Sequence, residues 1–263
     1  MKMLLYKAWI ETRVRFLAGL IAASIVCIYY IDTHAWLVSM WTHEMQNSNG
    51  YHFSWMPLGI HEYGWYLWHY LYDNYLQQVW ALFAALFAFG GLIREKNSGT
   101  VFFSLGLPVS RRRWLFTRLL MALLESIALS LFAVVVIFAG SSIIHQNYSH
   151  AQVLLHTMLM VGGGVFLIAL GNLCFTLFPG EYLSLILTLA FLGIPYLWLQ
   201  TYMQHLRYLG RTTWLVRFDM SHAMSGPWQL SWTTTPWTGL GMAWMLTVVV
   251  IEAAVMYGDH VDY

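Results

Sequence analysis

Five histidines follow one another at a nearly regular spacing early in the chain. His34, His43, His52 and His61 are nine residues apart, and His69 follows them. Glutamates adjoin two of these histidines, which is the basis for considering a weak metal site. Metal centres, however, take ligands at short spacing with supporting carboxylates or thiols, and nine residues match neither a helical nor a strand repeat. We therefore interpret this stretch as a polar folded segment and predict no metal ligand, cofactor site or catalytic residue on the chain.

Tryptophans accompany these histidines and recur near the end of the chain. They are Trp36, Trp41, Trp55, Trp65 and Trp68, then Trp214, Trp228, Trp232 and Trp237. Such rings favour membrane–water interfaces. Membrane proteins that handle haem also have tryptophan-rich external loops flanked by histidines. A stand-alone protein that handles haem or metal through these loops is therefore the alternative function, although His156 is the only histidine well placed within an apolar run.

Nucleotide chemistry is not expected on this polypeptide. The phosphate-binding loop G-x-x-x-x-G-K-[ST] is missing from the sequence, and its lysine is needed to reach the phosphates. The only lysines are Lys2, Lys7 and Lys96, and none of them follows a glycine. We therefore expect no ATP hydrolysis and no other enzymatic activity from this chain by itself.

The most informative segment covers residues 94–113. It contains a charged cluster, a turn signal, a short amphipathic run, a proline stop, a helix-capping serine and an arginine cluster. In order these are Arg94, Glu95 and Lys96; Asn97, Ser98 and Gly99; residues 100–107; Pro108; Ser110; and Arg111, Arg112 and Arg113. This pattern predicts a short helix along the membrane surface, joined at both ends to membrane-spanning helices.

The same segment resembles the connection between the second and third spans of the ATP-binding cassette (ABC) type-2 permeases. That connection typically has an acidic-basic cluster, Ser-Gly-Thr, an apolar run, a turn like Leu-Pro-Val-Ser and an arginine cluster. The matching elements here are Arg94-Glu95-Lys96, Ser98-Gly99-Thr100, Leu107-Pro108-Val109-Ser110 and Arg111-Arg112-Arg113. The motif covers about 30 residues, and the wider layout of the chain fits the family as well.

The resemblance implies that residues 94–113 form a coupling helix, which docks on a separate cytoplasmic ATPase that carries ATP and Mg. The implied contact residues are Arg94, Glu95, Lys96, Ser98, Gly99, Thr100, Phe103, Leu107, Pro108, Arg111, Arg112 and Arg113. An ion pair of Glu95 with Arg113 or Arg118 is implied too. The family architecture further implies two permeases with two ATPases, as a homodimer or heterodimer. Alternatively, the basic clusters are anchors for lipid headgroups.

Composition places the chain in a membrane. Of its 263 residues, 59% are hydrophobic and 10% are charged, whereas soluble domains have about 25% charged residues. Cys27 and Cys174 lie in apolar runs, so we predict no disulfide. Charges interrupt the first 15 residues and no cleavage site follows, so we expect no cleaved signal peptide.

Hydropathy predicts an all-α integral membrane protein with six spans in a single permease domain over residues 1–263. The spans are residues 16–31, 78–93, 115–144, 153–178, 182–202 (with a kink at Pro195) and 240–256. Apart from Arg207, Arg211 and Arg217, every Lys and Arg lies before the first span or around the second-to-third connection. The positive-inside rule therefore places both termini and residues 94–113 in the cytoplasm. Residues 32–77 and 203–237 are then external segments, and a bacterial inner membrane is the expected location.

Residues 1–15 have an amphipathic pattern, with Leu5, Ala8, Trp9, Thr12 and Phe16 on one face. The pattern is that of an interfacial helix or of a general positive anchor. Small residues recur four apart at Ala18/Ala22, Gly19/Ala23, Ala81/Ala85 and Ala84/Ala88. They indicate close helix packing, within the chain or across a dimer.

Three polar residues lie in or beside apolar runs. Glu125 and Glu252 are structural or functional acids, and Asn172 is expected to bond a neighbouring helix.

Overall fold

The computed structural model describes residues 2–47, 59–89, 111–146, 148–178 and 219–260, with positions 183, 186–188, 190 and 202. Over these residues the chain is helical, with no β-strand. The helices are α1 (Lys2–Asn47), α2 (Tyr63–Tyr66), a π-helix (Leu67–Tyr75), α3 (Leu76–Ala88), α4 (Arg111–Ile143), α5 (His150–Leu177), α6 (Met220–Ser225) and α7 (Trp237–His260). The expected all-α class is therefore confirmed for the described part of the chain.

Four of these helices, α1, α4, α5 and α7, are long and apolar enough to cross a bilayer. They contain the predicted spans at residues 16–31, 115–144, 153–178 and 240–256. The second predicted span, 78–93, is described only to Phe89, where it includes most of α3. The fifth, 182–202, lies outside the described residues except for isolated positions. Within the described residues the supported architecture is thus a helical protein with four candidate membrane spans.

Helix α1 is longer than the sequence pattern indicated. We predicted a separate interfacial helix over residues 1–15, but these residues form the first turns of one helix that ends at Asn47. No glycine or proline occurs from Lys2 to Ala18, and Ala8 and Thr12 are buried, as Ala23 and Cys27 are later in the same helix. Its 46 residues extend about 69 Å at 1.5 Å per residue, about twice the hydrocarbon thickness.

The predicted external segment 32–77 is also helical at both of its described ends. Residues 32–47 complete α1, while Tyr63 starts the continuous run of α2, the π-helix and α3. Five polar side chains between His69 and Gln78 lower the hydropathy of this run. Consequently the sequence pattern placed the start of the helix too late, at residue 78.

Small residues bring the helices into close contact. A β-carbon added at Gly19 would lie only 3.1 Å from the ring of Phe83. One added at Gly171 would lie 3.0 Å from the Ala85 carbonyl oxygen. Ala23, Ala84, Ala85 and Ala88 are buried, whereas Ala18 is exposed. Most of these small residues therefore serve packing within the chain.

Helix α6 lies in the second predicted external segment, of which residues 219–237 are described. Asp219 caps it, since the carboxylate accepts from the His222 N–H at 3.2 Å. Gly226 ends it with a φ of 63°, which favours glycine. Ala223 and Met224 are buried and contact Gly163 near the middle of α5. This part of the segment is therefore packed within the helix bundle.

Candidate functional site

A cluster of charged and hydroxyl side chains joins the first turns of α1 to α4. We call it the polar junction; it consists of Glu11, Thr12, Arg15, Arg118 and Glu125. Arg118 and Glu125 are seven residues apart and so share one face of α4. The cluster lies at the end of the bundle where α3 ends and α4 begins. These two helices lie on either side of the predicted coupling segment.

The outer part of the junction is an ion pair between Glu11 and Arg118. Their side chains are only 19% and 11% exposed, so water screens this pair less than it would an exposed one. The Arg118 guanidinium also lies over the Trp114 ring, 4.4 Å from its centroid, in a cation–π contact. The pair fixes the second turn of α4 against α1.

Arg15 connects α1 to the end of α3. Its guanidinium donates to the Leu86 carbonyl oxygen at 3.2 Å and to that of Phe89. The last carbonyls of a helix have no partner within the helix, and a positive charge is favourable at that end. Arg15 thus holds the terminus of α3 one residue before the chain continues into residues 90–110.

The inner part of the junction contains a buried acid. Glu125 is 2% exposed and Thr12 is 6% exposed, and the Thr12 hydroxyl is hydrogen bonded to Glu125 Oε1. In the described part of the chain, Glu125 Oε2 is buried and has no hydrogen-bond partner. An acid in this setting is a candidate functional group. Glu125 was one of two acids singled out from the sequence; the other, Glu252, is exposed on α7.

The predicted coupling residues fall mostly outside the described residues. This applies to Arg94, Glu95, Lys96, Ser98, Gly99, Thr100, Phe103, Leu107 and Pro108. Arg111 begins α4, while Arg112 and Arg113 are exposed on its first turn. The ion pair observed for Arg118 is with Glu11. The implied pair with Glu95 stays a prediction.

A second polar contact attaches α6 to the π-helix and α3; we call it the outer seam. Gln77 donates to the Ser221 carbonyl oxygen at 3.0 Å, and the Ser221 hydroxyl donates back to the Gln77 side chain at 3.3 Å. Ser225 donates to the Asp73 carboxylate at 2.6 Å. These bonds explain how a short polar helix is accommodated within the bundle.

The histidines that suggested metal or haem chemistry are dispersed where they are described. His34 lies in α1 between the rings of Tyr63 and Tyr66, with Nε2 3.2 Å from the Ile60 carbonyl oxygen. His69 stacks on Trp65; burial lowers the pKa of His69, and the Asp73 carboxylate partly opposes this. Among the described residues, no three His, Cys, Asp or Glu side chains form a group that could hold a metal ion.

His156 is fully buried in α5. Its two ring nitrogens lie 2.9 and 3.2 Å from the carbonyl oxygens of Ser225 and Trp228. The imidazole therefore attaches α5 to the backbone at the end of α6. A neutral imidazole has one N–H and donates to one of these two carbonyl oxygens, while both of its nitrogens face protein backbone.

No family model matches the sequence, and neither a curated protein nor a solved structure is significantly similar to it.

Proposed function

We propose that this chain is the membrane-spanning permease subunit of an ATP-driven exporter of the ABC type-2 class. The sequence pattern of residues 94–113 suggests this class, and the polar junction supports it. Arg15 holds the last carbonyls of α3, and Arg118 holds α4 against α1. The helices on either side of the predicted coupling segment, α3 and α4, are therefore both attached to α1. A displacement of that segment would move α1, α3 and α4 together.

In this proposal the working complex has two permeases, each with six spans, and two cytoplasmic ATPases. ATP closes the ATPase pair, which pushes the coupling segment and alternates access to a path between the permeases. The chain itself supplies no catalytic residue, and both of its termini lie in the cytoplasm. The cargo is unidentified.

Site-specific photo-crosslinking tests the proposed docking contact. A photoreactive phenylalanine analogue replaces Phe103 in the predicted coupling helix. The matched control carries the analogue at Trp232, an exposed aromatic residue in the segment predicted to be external. We expect light to attach a P-loop ATPase, identified by peptide sequencing and ATP-analogue binding, at position 103 and not at position 232.

Equal capture at both positions, or capture at 232 alone, would contradict the proposed contact. So would a folded, membrane-inserted chain that captures no ATPase at 103 or at neighbouring positions of the segment.

A further inference from the structure

Thr12 gives the carboxyl group of Glu125 one hydrogen-bond donor. Its hydroxyl donates to Glu125 Oε1 and also lies 3.0 Å from the Ala8 carbonyl oxygen. Within a helix that carbonyl oxygen already accepts the backbone N–H of Thr12, so the hydroxyl proton is available to Oε1. The other carboxyl oxygen, Oε2, therefore decides which protonation state is favoured.

The second carboxyl oxygen, Glu125 Oε2, is buried without a partner within the described structure. If the group were ionised, this oxygen would carry about half of a negative charge away from water, which is costly in a low-dielectric interior. If the group is protonated, it carries no net charge, and leaving one neutral oxygen unpaired costs far less.

The charges around Glu125 have other partners or lie on other elements. On α1, Glu11 is paired with Arg118 of α4. Arg15 acts electrostatically on Glu125, but its guanidinium donates to the carbonyl oxygens at the end of α3. Residues 76–89 of α3 contain no titratable side chain, and residues 165–177 of α5 contain only the Cys174 thiol. Among the described residues named above, Arg15 therefore favours ionisation, and the burial of the unpaired Oε2 opposes it.

We propose that Glu125 is a proton-binding site within the membrane domain, occupied when α1 and α4 are in contact. The bound proton removes the negative charge of the buried carboxyl group, so that α1 and α4 pack against each other around it. Separation of α1 from α4 admits water to the carboxyl group and releases the proton. This inference rests on the junction geometry and is independent of the exporter proposal.

Infrared difference spectroscopy of the whole protein tests the protonation state. The spectrum of Glu125→Gln is subtracted from that of the wild type at neutral pH, and Glu11→Gln serves as the matched control one residue from Thr12. Glutamine retains an oxygen that accepts from the Thr12 hydroxyl and carries no charge, so Glu125→Gln should fold normally. We expect Glu125→Gln to remove the carbonyl band of a protonated carboxylic acid, and Glu11→Gln to remove a carboxylate band.

A carboxylate band lost in Glu125→Gln would overturn the proposal, since Glu125 would then be an ionised partner of Arg15.

The pH dependence of stability gives a second readout. The unfolded chain releases this proton near the ordinary glutamate pKa of about 4.3, whereas the folded protein still holds it. Wild-type stability should therefore fall as the pH rises from about 4.3 until the folded protein also releases the proton. Over that range the loss of stability per pH unit should be smaller in Glu125→Gln by up to about 1.4 kcal/mol, and identical pH profiles for the two proteins would overturn the proposal.

Discussion

At the scale of single residues, a few polar side chains fix the positions of otherwise apolar helices. Lipid tails are as apolar as leucine, so burial from lipid gives little driving force for helix association. Gln77 shows the consequence, since it is fully buried and exchanges two hydrogen bonds with Ser221. Polar bonds and close packing at small residues therefore specify which helix faces meet.

We expect Gln77→Ala to destabilise the folded protein by about 1–3 kcal/mol, because it removes both hydrogen bonds between the Gln77 side chain and the buried Ser221. The measurement is reversible unfolding in detergent. The control is Gln78→Ala at the neighbouring, half-buried position. Equal losses in the two variants would indicate that the bond to Ser221 contributes nothing specific.

Gly164 should tolerate no side chain. A Cβ there would overlap the indole of Trp80, which is buried and donates to the Ser126 carbonyl oxygen at 3.1 Å. We expect Gly164→Ala to cost about 1–3 kcal/mol through overpacking. Gly241→Ala, where nothing lies within 4 Å, should be neutral or stabilising by up to about 1 kcal/mol. Thermal unfolding of both variants checks the contrast, and a stable Gly164→Ala would contradict the packing.

Sequence alone identified some of these residues and missed their partners. Glu125 was recognised because an acid in an apolar run is unusual. Its contact with Thr12 spans 113 residues, and that of Arg118 with Glu11 spans 107. No periodicity in a single sequence reports pairings at such separations. The amphipathic face that includes Thr12 was the available signal, and it was assigned to the membrane surface.

At the scale of helices, the main correction concerns α1. Hydropathy marks where a helix enters lipid, but it does not mark where the helix starts, so the polar first turns appeared to be a separate element. Part of the second predicted external segment also belongs to the helix bundle. Residues 219–237 are polar and tryptophan-rich, yet bonds to Asp73, Gln77 and His156 allow part of them to be buried in protein.

Leu17→Pro tests the continuity of α1. Leu17 is exposed, so the substitution mainly affects the backbone. In a continuous helix, proline removes a hydrogen bond and clashes with the carbonyl four residues earlier, costing about 3 kcal/mol. If a helix began at residue 16, proline in its first turn would be tolerated. We expect Leu17→Pro to unfold far more readily than Leu17→Ala, and equal stability would place a break near residue 16.

Arg15→Ala tests the attachment of α3 to α1. The variant loses the donor to Leu86 and Phe89 and the favourable charge at the end of α3. We expect a loss of about 1–2 kcal/mol, while Arg13→Ala, which alters an exposed arginine two residues away, should change little. Unfolding in detergent measures both. Equal effects would show that Arg15 acts only as a general positive charge.

At the scale of the whole molecule, the chain combines a helical membrane domain with one segment whose pattern suggests a soluble partner. The membrane class followed from composition, since so few charges cannot cover a surface in water. The coupling segment itself lies outside the described residues. What the structure adds is the set of contacts that attach the helices on either side of it, α3 and α4, to α1.

Co-purification tests the central claim, that a separate ATPase drives this membrane domain, most directly. The detergent-solubilised chain is isolated as wild type, as Arg13→Ala, and as the double variant Glu95→Ala with Gly99→Pro. We predict that a P-loop ATPase co-purifies with the first two and is lost with the double variant, while all three remain monodisperse. A stably folded wild-type chain that brings down no ATPase would contradict the account and direct attention to the external histidines.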